Sequence, residues 1–281
     1  MKADCHMHMV LDGVDWRQAI HRHRQQPDRG WIRGVLSAYR EQGVTYLRDG
    51  GDRWGVGETA RELAPEYGII YRTPLAPLCK AGHYGSFIGE TWQDVREYRN
   101  RLACHRCHGA DFIKIMISGL MDFDRFGVLT EEPLSDREIR ELVHIAHEEG
   151  FSVMAHANGR SAEAAASAGV DSVEHGAYLT EEALYAMKEN GTVWVPTLST
   201  IGNLRGTGRF SEPDVAAILE SAMENVALFA AMGGFLAPGT DAGAWKVPHA
   251  GNYEYDLLGE CLGEQTSAIL QTGTQRIIDK F

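Results

Sequence analysis

The chain has 281 residues, which is enough to bury a large apolar core and falls within the usual span of one α/β barrel. Hydrophobic residues make up 44% and charged residues 23%, so disordered, collagen-like and coiled-coil architectures are disfavoured. The 27 Lys and Arg residues against 39 Asp and Glu give a formal charge of −12, which argues against duplex DNA or an anionic membrane surface as the main partner.

The cellular compartment can be inferred from the termini and the cysteines. No apolar run approaches the roughly 20 residues needed to cross a bilayer, and the N-terminal MKADCHMHMV lacks the long apolar stretch of a signal peptide. The five cysteines are an odd number spread over a long chain, which favours free thiols in a reducing compartment. We therefore expect a cytoplasmic protein.

A short apolar run, a corner containing Gly or His, and an amphipathic stretch recur along the whole chain. The predicted strands are 3–8, 44–48, 69–75, 112–117, 152–156, 172–175, 193–196 and 235–240. The predicted helices are 16–42, 91–107, 135–149, 162–168, 181–190, 212–232 and 264–280. Ser135 followed by Glu138 predicts a capping box, and Gly43, Gly150 and Gly191 stand where helices should end.

This alternation predicts the fold. Repeated strand–helix units imply a parallel sheet, and eight strands are the number that closes into a (β/α)8 TIM-like barrel. An open doubly wound sheet is the alternative, but it would carry a Gly-rich phosphate turn after its first strand, where this chain has HMHM. Strand and helix predictions fill the chain, so we expect a single α/β domain over residues 1–281.

Polar residues stand at the C-terminal ends of the predicted strands, where barrels carry their catalytic groups. The six residues are His6, His8, Lys114, His156, His175 and Asp241. A His-x-His pair alone is weak evidence: His21 and His23 form another one in a charged helical stretch that solvent would cover. Because all six positions fall at the same end of separate strands, the sequence predicts one shared site.

The residue types at this site point to metal chemistry. Neutral imidazoles suit zinc and, with the same donors, manganese, iron or cobalt. Two divalent metals would bring a charge of +4, of which Asp241 and a bridging hydroxide would offset two. An ammonium at Lys114 would be repelled, but a neutral amine with a depressed pKa can add carbon dioxide and become an anionic, bidentate carbamate.

Five segments of the chain resemble a known family. HMHMVLDG, DFIKIMISG, VMAHANG, SVEHGAYL and APGTDAG together resemble the amidohydrolase superfamily of metal-dependent hydrolases, and more narrowly its imidazolonepropionase-like and Xaa-Pro dipeptidase-like branch. The resemblance covers nearly the whole chain and implies a TIM-like barrel with two metals. It implies that the first metal is held by His6, His8 and Asp241, the second by His156 and His175, and that carboxylated Lys114 bridges them.

The chain departs from this family in one respect. Most members have a small β-sandwich built from segments before the first strand and after the last helix, and the sequence begins and stops at the predicted barrel. We therefore expect a barrel that lacks the β-sandwich. The sequence leaves open whether the protein is a monomer or a homo-oligomer.

The predicted activity follows from the site. A metal-bridging hydroxide would attack a carbonyl carbon, and Asp241 would act as the proton shuttle to the leaving amine. We expect hydrolysis of an amide-like C–N bond in a small molecule such as a dipeptide, an N-acyl amino acid or a cyclic amide. The alternatives are a lactone, phosphotriester or aryl urea as substrate, an isomerase or decarboxylase, and a metal-loaded barrel that binds a ligand without turnover.

The loops beyond the strands supply candidate substrate contacts. His83 and Tyr84 follow the third strand, and Arg48 follows the second strand, where it could meet a carboxylate. Tyr178 lies three residues beyond His175. Trp245 and His249, in the loop after Asp241, are further candidates for the pocket wall.

Overall fold

A computed structural model describes all residues from Met1 to Phe281. The strands are β1 (Lys2–Met7), β2 (Val44–Asp49), β3 (Ile70–Arg72), β4 (Leu78–Lys80), β5 (Glu90–Trp92), β6 (Ile113–Met116), β7 (Val153–Ala157), β8 (Ser172–His175), β9 (Val193–Val195) and β10 (Phe235–Leu236). The helices are α1 (Trp16–His23), α2 (Arg29–Glu41), α3 (Val56–Leu63), α4 (Val95–Cys107), α5 (Asp136–Glu148), α6 (Arg160–Ser167), α7 (Glu181–Asn190), α8 (Leu198–Gly202), α9 (Glu212–Ala231), α10 (Tyr253–Leu262) and α11 (Thr266–Lys280).

The strands form one closed ring. They pair in parallel in the orders β1-β2-β3 and β10-β9-β8-β7-β6-β4-β5, and backbone hydrogen bonds join the two sheets at both edges. The N–H of Asp241, after β10, donates to the carbonyl of His6 in β1 at 2.7 Å. The N–H of Asp111, before β6, donates to the carbonyl of Thr73, after β3, at 3.0 Å. The predicted TIM-like barrel is confirmed.

The third strand of the barrel is divided into two segments. β3 pairs with β2, whereas β4 pairs with β6 on the other side. Between them, Leu75 has a positive φ of 67°, and its carbonyl accepts a hydrogen bond from the N–H of Asp52 at 2.7 Å. The strand predicted at 69–75 is therefore shorter than expected, and β4 with its neighbour β5 completes the wall.

The helix predicted at 16–42 is wrong in one respect, because it is two helices. Pro27 has no N–H and disfavours helical backbone in the residue before it. Asp28 then caps α2, since its carboxylate accepts hydrogen bonds from the N–H groups of Gly30 and Trp31 at 2.9 and 3.0 Å. The helix predicted at 91–107 begins only at Val95 because residues 90–92 form β5, and the sequence patterns do not predict α3, α8 and α10.

Other helix ends follow the sequence signals. The capping box at α5 is confirmed: the hydroxyl of Ser135 accepts the N–H of Glu138 at 3.3 Å, and the Glu138 carboxylate accepts the N–H of Ser135 at 3.1 Å. Gly191 ends α7 in the left-handed conformation, with φ of 64°. None of the helices has the length and apolar character needed to span a membrane.

The apolar core lies between the ring of strands and the helices around it. All five residues of β7 are buried, as expected for a parallel strand that is covered on both faces. Trp194 in β9 is completely enclosed and packs edge-to-face on Phe229 of α9, with ring centroids 5.8 Å apart. This packing holds the strand ends, and the side chains that follow them, in fixed positions.

Asp171 ties three elements together just before β8. Its carboxylate accepts hydrogen bonds from the backbone N–H of Val153 at 2.8 Å, His147 of α5 at 3.1 Å and the ammonium of Lys280 in α11 at 2.5 Å. Burial raises the pKa of Asp171, but the hydrogen bonds from His147, Lys280 and Val153 outweigh it and leave the pKa below its ordinary value. The ionised form therefore stabilises the folded state.

We expect Asp171→Asn to lower the free energy of unfolding by about 1–3 kcal/mol at pH 7, because it removes charge-assisted hydrogen bonds. Since the folded-state pKa is depressed, the difference from wild type should shrink as the pH falls below about 4. Urea unfolding at several pH values measures both effects. Glu148→Gln, which alters a half-exposed ion pair with His144, should cost less than about 0.5 kcal/mol. Equal losses in the two variants would contradict the assignment.

Candidate active site

The six predicted residues are presented by five strands at one end of the barrel. His6 lies in β1, and His8 follows it by two residues, one position past the end of the strand. Lys114 lies in β6, His156 in β7, and His175 is the last residue of β8. Asp241 follows β10 and is held beside β1 by its backbone hydrogen bond to His6. The structure brings the six side chains together: five of them line one pocket, and His6 lies buried beside Asp241 and Lys114.

The first group of donors is compact. Oδ1 of Asp241 lies 3.1 Å from Nε2 of His8 and 3.4 Å from Nε2 of His6. One donor atom each from His6, His175 and Asp241 lie within 4.8 Å of one another. Nζ of Lys114 is 3.1 Å from Nε2 of His6. These separations suit side chains that share one or two cations.

The second pair of histidines adjoins the first group. The rings of His156 and His175 have centroids 4.5 Å apart, and the ring of His175 is 4.9 Å from that of His6. Nε2 of His156 lies 3.3 Å from the carbonyl of Gly119, and its Nδ1 has no hydrogen-bond partner in the protein. His156 therefore has one ring nitrogen available as a ligand in this arrangement.

Two of the site residues have unusual backbone conformations. His175 has φ of 68° and Asp241 has φ of 54°, in the left-handed region that non-glycine residues rarely occupy. Such conformations cost on the order of 1–3 kcal/mol and persist only where the surrounding structure imposes them. Here they turn the two side chains toward the same point at the ends of their strands.

Hydrogen bonds fix the orientation of two histidines. Nδ1 of His6 donates to Oε2 of Glu174 at 2.7 Å, and Nδ1 of His175 lies 2.8 Å from the hydroxyl of Thr197. In each case the neutral tautomer with a proton on Nδ1 leaves the Nε2 lone pair free. A ligating histidine held in this way by a second residue is the usual arrangement at protein metal sites.

Glu174 is itself held by a buried ion pair inside the barrel. Its Oε1 accepts hydrogen bonds from Arg48 at 2.8 Å and from the hydroxyl of Ser172 at 2.5 Å. Arg48 and Glu174 are both completely enclosed. Sequence reasoning missed Glu174, although an acidic residue inside a predicted buried strand, directly before His175, was a signal that could have found it.

Burial keeps the imidazoles of the site in the uncharged form. Burial lowers the pKa of His6 and His156 well below the ordinary imidazole value, lowers that of His8, and brings that of His175 to about 4. Burial likewise lowers the pKa of Lys114, which has no carboxylate within 4 Å. The imidazoles are therefore neutral, the form that binds metals.

Asp241 keeps its charge. Burial raises the pKa of its carboxyl group, but the hydrogen bond from His8, together with the neighbouring side chains of His175 and Lys114, outweighs this effect and leaves the pKa below its ordinary value. Nδ1 of His8 is buried without any hydrogen-bond partner, which is costly unless the ring is engaged by a ligand. Four neutral imidazoles, one carboxylate and an unpaired imidazole nitrogen fit a divalent metal.

A cavity of about 640 Å³ opens above these residues. His8, Lys114, His156, His175 and Asp241 form its floor. Its walls are mainly apolar and come from the loops after the strands. They include Leu11, Trp16, Tyr84, Phe87, Met116, Leu120, Phe123, Leu204, Phe210 and Trp245. The cavity has the size and lining of a small-molecule site.

One of the predicted substrate contacts lines the cavity, and two others do not. Tyr84 lines the cavity, with its ring centroid 5.1 Å from that of His156. His83 does not line it, and its Nδ1 is 4.0 Å from Oε2 of Glu131. Tyr178 also lies outside it and packs edge-to-face on Phe126. Of this group, only Tyr84 is within reach of a ligand on the floor.

Arg48 is not a substrate contact in this structure. It has no exposed surface, because it points into the barrel, where it also donates to the carbonyl of Cys5 at 2.7 Å. Its guanidinium forms an ion pair with Glu174 and does not reach the cavity. Trp245 does line the cavity, whereas Nε2 of His249 is engaged by the carbonyl of Leu11 at 2.8 Å.

Comparison with known proteins gives partial sequence matches. No family model matches the chain. Over 153 residues the chain is 31% identical to an ochratoxinase from Aspergillus niger, an alignment that covers 50% of this chain and 28% of that protein. An uncharacterised protein of Mycobacterium tuberculosis is 37% identical over 73 residues, covering 26% of this chain and 20% of that protein. The chain spans less than a third of the length of these curated relatives.

The fold matches solved structures over nearly the whole chain. A Xaa-Pro dipeptidase with methionine bound in its active site has a TM-score of 0.78 and 22% identity, covering 99% of this chain and 75% of that one. Aspergillus niger ochratoxinase has a TM-score of 0.75 and 22% identity, covering 98% and 70%. A protein described as an amidohydrolase has a TM-score of 0.76 and 22% identity, covering 99% and 74%. The chain has the barrel fold of amidohydrolases, and the predicted resemblance is confirmed at this level.

The hydrogen bond between His175 and Thr197 provides a test of the donor set. We expect Thr197→Val to weaken zinc binding about tenfold to a hundredfold, because the isosteric change removes the group that orients the ring. Competition with a chromophoric chelator measures the affinity.

Thr192→Val is the matched control. Thr192 is as fully buried as Thr197, but its hydroxyl donates to the backbone carbonyl of Val170 at 2.9 Å and does not contact a histidine of the site. Both variants should lose a similar, small amount of thermal stability. If zinc affinity falls equally in both, or in neither, Thr197 has no role in orienting His175.

Proposed function

We propose that the chain is a metal-dependent hydrolase of amide-like C–N bonds in small molecules. The observation that carries the proposal is the convergence of four neutral histidines, a buried lysine without an ion-pair partner and one carboxylate at the floor of an apolar cavity, which all of them except the buried His6 line. The names of the matched proteins, an ochratoxinase and a Xaa-Pro dipeptidase, support hydrolysis.

The proposed ligand set follows the donors. His6, His8 and Asp241 would hold one divalent metal, His156 and His175 a second, and Lys114 would bridge them as a carbamate. Zinc is the first choice for imidazole donors. When bound, such ions lower the pKa of water to about 7 and polarise a carbonyl oxygen.

Lys114 supplies the missing negative charge. Burial disfavours its ammonium form more strongly than the nearby carboxylates of Asp241, Glu174 and Asp49 favour it, so the net effect is a lowered pKa. The neutral amine forms a bond to the carbon of carbon dioxide and releases a proton, which leaves an anionic carbamate with two oxygens. Lys114 is placed for this role, because its Nζ lies 3.1 Å from Nε2 of His6 and its side chain lines the same cavity as His156 and His175.

Asp241 is the proposed general base and acid. Its carboxylate is ionised, stands on the cavity floor and touches both His6 and His8. It can accept the proton of an attacking water and return it to the leaving amine. The apolar walls exclude other water and orient the substrate, which strengthens each electrostatic contact on the floor.

The proposed substrate is a dipeptide, an N-acyl amino acid or a cyclic amide. The proposed location of the protein is the cytoplasm. Metal analysis combined with a panel of dipeptides, N-acyl amino acids, lactones, phosphotriesters and aryl ureas tests it. Turnover of the amides in a metal-dependent manner is the expected result. Turnover confined to lactones, phosphotriesters or ureas would replace the proposed bond type, and no turnover with metal bound would favour a binding protein.

Asp241→Asn separates proton transfer from ligand binding. We expect kcat to fall about a hundredfold or more, because general acid–base catalysis contributes roughly 10²–10⁴-fold, while metal remains bound to the histidines. Steady-state kinetics and metal content measure the two effects. Asp256→Asn makes the same chemical change on the exposed face of α10 and should leave both unchanged. Unimpaired turnover in Asp241→Asn would refute the assigned role.

Lys114 carboxylation can be observed directly. Protein loaded with zinc in ¹³C-bicarbonate should show a carbamate carbon signal by NMR that is absent from Lys114→Arg, because the guanidinium is not a nucleophile at neutral pH. Lys188→Arg, on the exposed face of α7, should keep the signal. A signal that persists in Lys114→Arg would assign the carbamate to another residue.

A further inference from the structure

The chain between β6 and α5 contains a small β-hairpin, residues 120–130, that we call the flap. Met121 and Leu129, one in each arm, pair in antiparallel orientation. Two side chains of the flap, Met121 and Phe123, line the cavity. The four residues of its tip, 124–127, are exposed. The flap therefore forms part of the cavity wall, and its tip lies at the protein surface.

The base of the flap is fixed by buried hydrogen bonds. The carbonyl of Gly119, the residue before the flap, accepts hydrogen bonds from Nδ2 of Asn158 at 3.1 Å and from Nε2 of His156 at 3.3 Å. The hydroxyl of Ser118 accepts the backbone N–H of Asn158 at 3.0 Å. Ser118, His156 and Asn158 are all buried. This end of the flap cannot move without disturbing the residues at the cavity floor.

The tip of the flap is held by two hydrogen bonds to residues 203–214, the segment between α8 and the first turn of α9. Asp124, in the flap, accepts the backbone N–H of Ser211 at 2.8 Å. Asp214 accepts the backbone N–H of Phe126, in the flap, at 3.0 Å. Each side thus supplies one carboxylate and one N–H group. We call this reciprocal pair of hydrogen bonds the latch.

The latch joins two walls of the same cavity. Leu204 and Phe210, from the segment that faces the flap, both line the cavity. The ring of Phe210 packs on that of Phe123, with centroids 5.2 Å apart. If the latch were broken, the flap and the facing segment would be joined along this edge by the packing of aromatic side chains alone.

The flap has little stability of its own. A two-stranded hairpin is marginally stable in water, and the tip buries little apolar surface, since Phe126 remains 49% exposed even where it packs on Tyr178. Segments of this kind open locally at a much lower free energy than global unfolding. Hydrogen bonds to a carboxylate are stronger than those between neutral groups. The latch therefore contributes much of the free energy that keeps the tip closed.

We propose that the flap is a gate to the cavity and that the latch of Asp124 and Asp214 holds it closed. The exposed tip moves away from the facing segment, while the base stays fixed at Gly119. A small molecule then enters between Phe123 and Phe210. This inference concerns access to the cavity, so it does not depend on the bond that is cleaved or on the metal.

Hydrogen exchange resolved by residue tests whether the latch controls opening. The informative amides are those of Asp122 and Thr130, which donate to the carbonyls of Val128 and Leu120 within the flap and not to the latch carboxylates. We expect Asp124→Ala and Asp214→Ala each to speed their exchange about tenfold or more, because each variant removes one charge-assisted hydrogen bond. The amides of β7 should exchange as in wild type.

Glu132→Ala is the matched control. It removes an exposed carboxylate two residues beyond the flap that forms no hydrogen bond or ion pair, so exchange should stay at the wild-type rate. The inference is overturned if the flap amides exchange equally fast with and without the latch, or if they are unprotected in wild type. Equal acceleration in Glu132→Ala or in β7 would also overturn it.

Entry into the cavity is measured by labelling an introduced thiol with N-ethylmaleimide. In Leu204→Cys protein the thiol replaces a cavity-lining side chain that is only 4% exposed. Mass spectrometry follows its labelling beside that of Cys104, an exposed thiol that serves as the internal reference. We expect Asp214→Ala to speed labelling at residue 204 about tenfold and to leave Cys104 unchanged, since removal of one charge-assisted hydrogen bond favours opening.

Two results of the labelling experiment would contradict the gate. The first is an equal rate at residue 204 with and without Asp214→Ala. The second is labelling at residue 204 as fast as at Cys104 while the latch is intact, because the flap would then not restrict access. Faster exchange in the flap without faster labelling would mean that the flap opens but does not control entry, and it would likewise refute the proposal.

Discussion

The contact of Glu174 with Arg48 on one side and His6 on the other is the interaction on which the rest of the site depends. A single buried charge is costly, and removing one partner of a buried pair costs about 3–5 kcal/mol, so the two charged residues require each other. Arg48 is further enclosed by Phe281, whose ring lies 4.4 Å from its guanidinium. The barrel interior thus fixes the tautomer and direction of His6 before any cation arrives.

Strands and loops of the barrel contribute different parts of the site. The strands and their buried hydrogen bonds fix the polar groups on the floor, where small displacements would weaken ligation. Gly50 permits part of this arrangement, because a Cβ atom there would lie 2.1 Å from Cε1 of His8. The loops supply most of the cavity walls, and with them its apolar surface. The floor is therefore rigid, and the walls determine what fits above it.

The sequence predicted eight of the ten strands, all except β4 and β5, and the convergence of six polar residues at one end of the barrel, because both depend on local patterns. Buried parallel strands are short apolar runs, and the barrel brings their C-terminal ends together whatever the intervening sequence. The roles of Glu174, Arg48 and Thr197 could not be predicted, since each depends on a partner in another strand or loop. The same limit applies to the cavity wall, where Trp16 and Phe210 come from segments far apart in the chain.

The divided third strand affects how this protein could diverge. β3 pairs with β2, whereas β4 pairs with β5 and β6. The segment that carries Tyr84 connects β4 to β5, so it leaves the ring beside a short strand and not between two full-length strands. None of the six proposed ligands lies in this segment. Insertions or deletions there could reshape one side of the entrance while the six residues of the floor kept their positions, which would let natural variation alter what the cavity accepts without rebuilding the proposed metal site.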